Sequence, residues 1–331
     1  MNSSDACYIM ESIATYTPLR ILLSIFIIIA LIAIPLIMNV IRRILRNPLY
    51  HLNTKVVLVA HAIALVVHLS DRLVYHGSDL YRYLIILPSS PSACSIISSS
   101  ERCFGLRLAF NCAMWFCVCT TPALTLERYF ATRKICNYHS DKSSWVIVMG
   151  FQFFLTAFIL SFAYAKQTFG GTAYYCMATN ATFPFHILAA FIFVLTVQLI
   201  SIAFFKHLVR KNENLREELQ KSGGDLIRKY QVEETLRAFR ILSLPVHLMF
   251  IFQFFYCFIS FFVVFFNPHF SRPLYFFLME ANIYLPEYSL VFVFTFIRME
   301  NQVSDSSSKE FKKNIQIDTA VYFENYKKDW S

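Results

Sequence analysis

The sequence predicts an all-α integral membrane protein, a bundle of seven membrane-spanning helices with its N-terminus outside the cell and its C-terminus inside. Three observations lead to this prediction: seven long apolar stretches, a one-sided distribution of Lys and Arg, and a composition that is 56% hydrophobic with 35 Phe. An apolar helix of about 20 residues crosses the hydrocarbon core. Helices are required because backbone N–H and C=O groups find no water in lipid. The stretches cover residues 19–41, 56–75, 103–126, 144–166, 187–209, 241–266 and 275–297.

The positions of Lys and Arg predict the orientation, because basic residues near the ends of spans stay on the cytoplasmic side. With the N-terminus outside, inner segments hold 23 of the 30 basic residues and outer segments hold six, Arg72 among them. The net charge of +9 is therefore mainly a topology signal. We assign residues 1–18 to an extracellular N-terminus, 19–297 to the seven-helix domain and 298–331 to a cytoplasmic tail.

The basic residues do not indicate nucleic-acid binding, since that function needs a soluble domain with basic and aromatic residues on one face. We expect the basic clusters beside the inner leaflet to contact anionic membrane lipid instead.

Two Asn-x-Ser/Thr sequons, at Asn2 and Asn180, test the topology independently of charge. Both lie in segments that the charge distribution places outside, where N-glycosylation occurs. We expect both asparagines to be glycosylation sites.

Cysteines at the outer surface predict a disulfide between Cys103 and Cys176. Cys103 lies at the outer start of the third span and Cys176 lies in the loop between the fourth and fifth spans, in an oxidising compartment where disulfides persist. Pairing of Cys7 or Cys94 with either of them remains open, as does a free Cys176.

The inner connection over residues 210–237 is polar and highly charged, and it predicts helical extensions of the fifth and sixth spans. Its run Ser222-Gly223-Gly224-Asp225 predicts a turn, because the two glycines can end one helix and Asp225 can cap the next.

The strongest local motif is Glu127-Arg128-Tyr129 at the inner end of the third span. Glu127 and Arg128 can form a local ion pair, or Arg128 can reach into an opening between helices, which makes the pair a candidate switch. The alternative is an arginine that only extends its charge to the membrane surface beside a carboxylate at the helix edge.

Ionisable residues inside spans are costly and face a partner or a wet cavity, so they are candidates for function. Arg107 in the third span and Glu280 in the seventh lie at similar depth, and Glu287 lies two helical turns from Glu280 on nearly the same face. His68 in the second span shares a face with His61. These residues predict the polar lining of an outward-facing ligand pocket, or else hydrogen bonds that hold the bundle together.

The motifs together resemble a known receptor family. They are the Cys103 and Cys176 placement, Leu126-Glu127-Arg128-Tyr129-Phe130-Ala131-Thr132, and Arg228-Lys229-Tyr230-Gln231-Val232-Glu233-Glu234-Thr235-Leu236-Arg237. In these features the chain resembles the serpentine chemoreceptors of nematodes in the Sra superfamily, closest to Srab and Sra receptors. The resemblance implies a chemosensory G-protein-coupled receptor in the plasma membrane, with the sensory cilium of chemosensory neurons as an expected location.

A mechanism follows from that resemblance. A small-molecule ligand would enter from outside between the third, fifth, sixth and seventh spans and shift the population of two bundle forms. Arg128, released from Glu127, and the basic helix ends over residues 206–240 would then receive a heterotrimeric G protein, and the inner helices are candidate dimer contacts. The seventh span reads Leu285-Pro286-Glu287-Tyr288 where rhodopsin-like receptors carry Asn-Pro-x-x-Tyr, so only the Glu127-Arg128-Tyr129 motif is transferred.

A membrane enzyme and a channel or transporter are the two alternative classes of membrane protein. A membrane enzyme would gather His in clustered metal-binding boxes or pair catalytic residues at matching depth, whereas the nine His are scattered. We therefore expect no enzyme, no cofactor and no metal site. A channel or transporter, with Arg107, Glu280 and Glu287 lining a polar path, is the main alternative.

Overall fold

The computed structural model describes residues 3–47, 50–90, 92–133, 143–164, 172–173, 175–176, 184–221, 226–303 and 305 of the 331-residue chain. Asn2 and Asn180, the turn predicted at residues 222–225 and the tail beyond residue 305 lie outside the described residues.

Within the described residues, six helices are long and apolar enough to cross a membrane, judged by length and composition. They correspond to the first six predicted stretches. Their bounds are Thr17–Arg46 for the first span, Leu52–Tyr81 for the second, Ser100–Val118 with Thr120–Arg133 for the third, Ser144–Tyr164 for the fourth, Pro184–Lys221 for the fifth and Leu226–Phe265 for the sixth.

The seventh span is broken. Residues 275–297 were predicted as one helix, but they are divided between the helix Arg272–Ala281 and a second helix over 285–303. Between them, Asn282, Ile283 and Tyr284 leave the helical conformation. Non-helical backbone at membrane depth is tolerated where protein buries it, and all three residues are buried.

The third span is the most enclosed of the six. In the most apolar stretch of 18 residues of the third span, 67% of the residues are buried. The corresponding fraction is 28% in the first, fourth and sixth spans. Pro122 lies inside this span and has no N–H for the carbonyl of Val118 one turn earlier. The side-chain amide of Gln198, from the fifth span, donates to that carbonyl at 2.6 Å. A polar side chain thus satisfies the backbone group that the proline leaves open.

The loops at one end of the bundle are joined by two disulfides, and we call this the disulfide end. Cys103–Cys176 confirms the predicted bridge, and Cys7–Cys94 is a second bridge that was not predicted. A short antiparallel strand pair joins Ser98–Ser99 to Thr172–Ala173 beside them.

An N-terminal helix, Ser3–Ala14, also packs at the disulfide end. Its buried residues Met10 and Ile13 share an apolar cluster with Leu19 of the first span and Tyr83. Tyr83 belongs to a π-helical turn, Arg82–Ile86, which continues the second span. Helix therefore continues beyond the predicted end of the second stretch at residue 75, as far as residue 89.

The opposite end, which we call the basic end, carries the helical extensions that the charged segment predicted. The fifth span runs on to Lys221 and the sixth begins at Leu226. These extensions pack through a small apolar cluster of Leu219, Val232 and Leu236. Near it, Arg216 and Glu233 form an ion pair at 3.9 Å.

We expect Cys103→Ser to lower the melting temperature of the purified protein in detergent. A disulfide restrains the unfolded chain, and its removal costs about 2–5 kcal/mol in small domains. Cys112→Ser is the matched control, since Cys112 is an exposed free cysteine. Equal melting temperatures for the two variants would contradict the prediction.

Candidate functional site

A row of polar residues at seven-residue intervals runs along the second span and faces the third. All four members are buried, and each bonds to the third span. They are Thr54, His61, His68 and Tyr75. Seven residues are close to two helical turns, so the four share one face of the helix. We call this row and its partners the polar seam.

Near the disulfide end, the seam reaches an ion pair between the third and seventh spans. Arg107 and Glu280, both predicted as pocket residues, form a buried salt bridge. Arg107 also donates to the hydroxyl of Tyr75 at 2.9 Å and to the carbonyl of Cys176. Its guanidinium lies 4.2 Å from the ring centre of Tyr75. The ion pair is thus bonded directly to a residue of the Cys103–Cys176 disulfide.

Arg72 lies beside this ion pair and is fully buried. Its Nε donates to His68 at 3.3 Å, Nη1 donates to His76 at 3.3 Å and Nη2 donates to the carbonyl of Ile283 at 3.4 Å. Its guanidinium also lies 4.2 Å from the ring centre of Phe26. We call Arg72, His76, Arg107 and Glu280 the charged cluster.

Arg72 was not predicted as a site residue, since it was counted among the basic residues of the outer segments. A usable signal existed, because His68, Arg72 and His76 are spaced by four residues and therefore lie on one helical face. His68, predicted as a pocket residue, contacts the charged cluster through Arg72. Its second ring nitrogen lies 3.3 Å from the carbonyl of Phe110.

Glu287 is set apart from Glu280 by the break in the seventh span. The two carboxylates were expected on one continuous helical face, but Glu280 belongs to the helix Arg272–Ala281 and Glu287 to the helix over 285–303. Glu287 is partly buried, and its charge interacts with that of Arg72. Its Oε2 has no hydrogen-bond partner among the described residues.

The break itself is fixed by side chains of the sixth span. Asn282 donates to Ser260 at 2.7 Å and to the carbonyl of Tyr256 at 2.9 Å. The hydroxyl of Tyr284 donates to Gln253 at 2.7 Å. These bonds, with the one from Arg72 to Ile283, place each residue of the break in contact with a neighbouring span.

His61 joins three spans in the middle of the seam. Its Nδ1 lies 3.0 Å from the hydroxyl of Thr120, and its Nε2 lies 3.3 Å from that of Tyr288. The Thr120 hydroxyl donates its own proton to the carbonyl of Phe116, so His61 Nδ1 is the donor. This leaves Nε2 to accept from Tyr288, and His61 is a neutral imidazole.

At the basic end, the seam contacts the predicted switch. Both Glu127 and Arg128 are buried, and Arg128 binds the carboxylate of Glu127 with two nitrogens at 2.5 and 2.6 Å. Thr54 donates to Glu127 at 2.9 Å and accepts from Arg128. Burial of this pair excludes the alternative in which Arg128 only extends to the membrane surface.

Tyr129, the third residue of the motif, does not join the ion pair. It is partly buried, lies 5.7 Å from the ring of Phe204 in the fifth span, and accepts a hydrogen bond from Arg133 at 3.0 Å. The fifth span also contacts this end through Asn212, which donates to Thr132 at 2.8 Å.

Two tyrosines outside the spans have phenol groups whose pKa is raised by burial. Tyr175, next to the disulfide, lies 5.9 Å from the Arg107 guanidinium, and burial raises the pKa of its phenol. Burial likewise raises the pKa of Tyr50 at the basic end. Both phenols are therefore neutral at physiological pH.

A separate cavity of about 600 Å³ opens at the disulfide end, between the N-terminal helix and the end of the second span. Glu11, Arg20 and Tyr83 are among the residues that line it, and none of the four predicted pocket residues does so. Among the described residues, no group of three or more His, Cys, Asp or Glu is placed to hold a metal ion.

A family model described as serpentine type 7TM GPCR receptor class ab chemoreceptor matches residues 4–331. No curated protein matches the chain. The family match covers both the charged cluster and the pair of Glu127 and Arg128.

We expect Arg107→Gln and Glu280→Gln each to destabilise the receptor strongly, because either change leaves a buried charge without its partner, at about 3–5 kcal/mol. The double variant should lose clearly less than the sum of the two single losses. Melting temperatures in detergent measure all three. The control is Arg216→Gln, which breaks the ion pair with Glu233 at 3.9 Å; both side chains are about one third exposed, so the change should cost about 0–1 kcal/mol. Additive losses would contradict the coupling.

Proposed function

The chain belongs to the serpentine seven-transmembrane family of class ab chemoreceptors, and from this membership we propose that it binds a small extracellular ligand at the charged cluster and activates a heterotrimeric G protein at the basic end. The family is a receptor family and not an enzyme family. The observation that best supports the proposal is that one helix, the second span, contacts both sites. It holds Arg72 at one end and bonds through Thr54 to Glu127 and Arg128 at the other.

In this proposal the disulfide end faces outside. Disulfides persist in oxidising compartments, and both bridges lie at this end. The excess of Lys and Arg in segments at the basic end supports the same orientation. The receptor would then lie in the plasma membrane, and the family supports a sensory cell as its setting.

The ligand site would include Arg107, Glu280, Glu287 and His68. The first two are bonded to each other, so the structure corresponds to a form in which Arg107 and Glu280 are paired. A ligand that separates Arg107 from Glu280 would bind the open form more tightly and shift the population toward it. Rings around Arg107, such as Phe110 at 4.9 Å, would supply apolar walls.

The seventh span would transmit the change. Its break is bonded to Arg72 on one side and to the sixth span on the other. Movement of the cluster would therefore alter the angle between the two halves of the seventh span and displace the sixth.

At the basic end, separation of the fifth and sixth spans from the third would let Arg128 leave Glu127. Arg128 lies 6.0 Å from the ring of Phe239 in the sixth span, so movement of that span changes its surroundings directly. The exposed basic residues Lys206, Arg210 and Arg240 would border the docking surface for the G protein and contact anionic lipid. The helical extensions are also our candidates for dimer contacts.

We expect Arg128→Ala to reduce ligand-driven G-protein activation by about 5- to 150-fold, the range of typical coupling free energies. The measurement is nucleotide exchange in a heterologous cell challenged with an odorant panel, at matched surface expression. Arg42→Ala is the control, since Arg42 is an exposed arginine at the same end of the bundle, in the first span. Unchanged activation would remove the switch role of Arg128. Ion current without exchange would favour a channel.

We expect Thr54→Val to raise ligand-independent exchange by about 3- to 20-fold. The change keeps the shape of the side chain and removes the hydroxyl that bonds to both Glu127 and Arg128, a loss of about 0.6–1.7 kcal/mol for a hydrogen bond between membrane helices. Thr295→Val is the matched control, because the Thr295 hydroxyl donates only to carbonyls of its own helix. Lower basal exchange in Thr54→Val would contradict the proposed closed form.

A further inference from the structure

We propose that the charged cluster is a receptor site for a carboxylate or similar monoanion and that Arg72 is the residue that recognises it. The inference rests on the proposed function and adds the chemical class of the ligand. It depends on the charges in contact, on the protonation of the two histidines and on the donors that have no acceptor.

The charges in contact do not balance. Arg107 has a carboxylate partner in Glu280. Among the described residues, no carboxylate oxygen lies within 4.0 Å of an Arg72 nitrogen. The two guanidinium groups therefore share one contacting carboxylate. Buried charges in proteins are normally paired, so Arg72 is the guanidinium of the cluster that lacks a contacting carboxylate, and Glu287 interacts with it only at longer range.

The histidines add no charge, and the geometry of the hydrogen bonds shows why. A guanidinium can only donate, so the nitrogens that Arg72 contacts, Nε2 of His68 and Nε2 of His76, must accept. An imidazole with an accepting nitrogen is neutral. The protons of both rings are consequently on Nδ1.

Donors also exceed acceptors around Arg72. Its guanidinium has five N–H groups, and three are given to His68, His76 and Ile283. His76, which is 0% exposed, keeps a second donor in Nδ1, and that atom has no hydrogen-bond partner among the described residues. A buried donor without an acceptor costs free energy that a ligand acceptor would recover.

A carboxylate ligand would fit all three features of the cluster. It supplies one negative charge, and its two oxygens can accept from two N–H groups of one guanidinium. The rings of Phe26 and Phe110, at 4.2 and 5.2 Å from the Arg72 guanidinium, would pack against an apolar remainder. An amine would place a further positive charge beside Arg72, and an alcohol would bring no negative charge into contact with it.

The test uses the full-length receptor in nanodiscs and a series from formate to hexanoate, each compared with its neutral amide. We expect saturable stabilisation by at least one carboxylate and none by the amides, read as a shift in melting temperature. Arg72→Gln should weaken that binding by about 10- to 150-fold, the effect of losing a hydrogen bond to a charged group. Arg72→Lys should also weaken carboxylate binding, since an ammonium group cannot form the bidentate pair of hydrogen bonds that a guanidinium forms.

Two further variants keep the test decisive if Arg72→Gln fails to fold. His76→Phe removes the unpaired donor but keeps a ring that can stack on Phe26, whose centroid lies 6.0 Å away, and it should weaken carboxylate binding. Glu287→Gln removes a nearby negative charge and should strengthen it. Stabilisation by the amides, no stabilisation by any carboxylate, or opposite signs in these two variants would overturn the proposal.

The same preparations separate this inference from the proposed function. Anion binding is read without a G protein, and nucleotide exchange is read with the odorant panel. Exchange driven only by neutral compounds would overturn the inference and leave the receptor function standing. Carboxylate binding without exchange would support the site and count against G-protein coupling.

Discussion

The polar contact between the second and third spans is the constraint on which the other features depend. In lipid, no hydrophobic driving force brings helices together, because lipid tails are as apolar as the side chains. Close packing and hydrogen bonds must therefore hold the helices in contact. Thr54, His61, His68 and Tyr75 provide such bonds at four levels. Their partners on the third span are Glu127 with Arg128, Thr120, the carbonyl of Phe110, and Arg107. A slip of one residue would rotate the second span by about 100° and break every level at once.

This seam explains why charged groups can lie inside the bundle. Arg107 and Glu280 neutralise one another, as do Glu127 and Arg128, and in both places a hydroxyl of the second span supplies a further hydrogen bond. Burial of an ion pair in itself adds little stability, and removal of one partner costs much more. The two pairs are thus better suited to fix a particular arrangement of the helices than to increase the stability of the bundle, and an arrangement held in this way can be exchanged for another.

Composition and charge predicted most of the fold, because span length and loop charge are local properties. The first six spans, the extensions of the fifth and sixth, and the Cys103–Cys176 bridge are confirmed. The sequence also indicated that Arg107 and Glu280 lie at similar depth, and the structure joins them in an ion pair. The break at residues 282–284 was missed because the apolar pattern continues through it, and it depends on Asn282 meeting Ser260 of another span. Arg72 was missed because it lies near the end of an apolar stretch, where an arginine ordinarily reaches the surface. Cys7–Cys94 depends on how the N-terminal helix packs, which no local pattern encodes.

The broken seventh span gives the charged cluster a direct connection to the backbone. A carbonyl that leaves a helix inside a membrane must find a donor elsewhere, and Ile283 finds it in Arg72. If Arg72 turns toward a ligand anion, that carbonyl loses its donor and the break must rearrange to satisfy it. The same short segment bonds to the sixth span through Asn282 and Tyr284, so the rearrangement reaches the helix whose Phe239 lies over Arg128. Under the proposed function, one guanidinium would therefore couple the charge of the ligand to the angle between two half-helices, with no requirement for a large movement at the site itself.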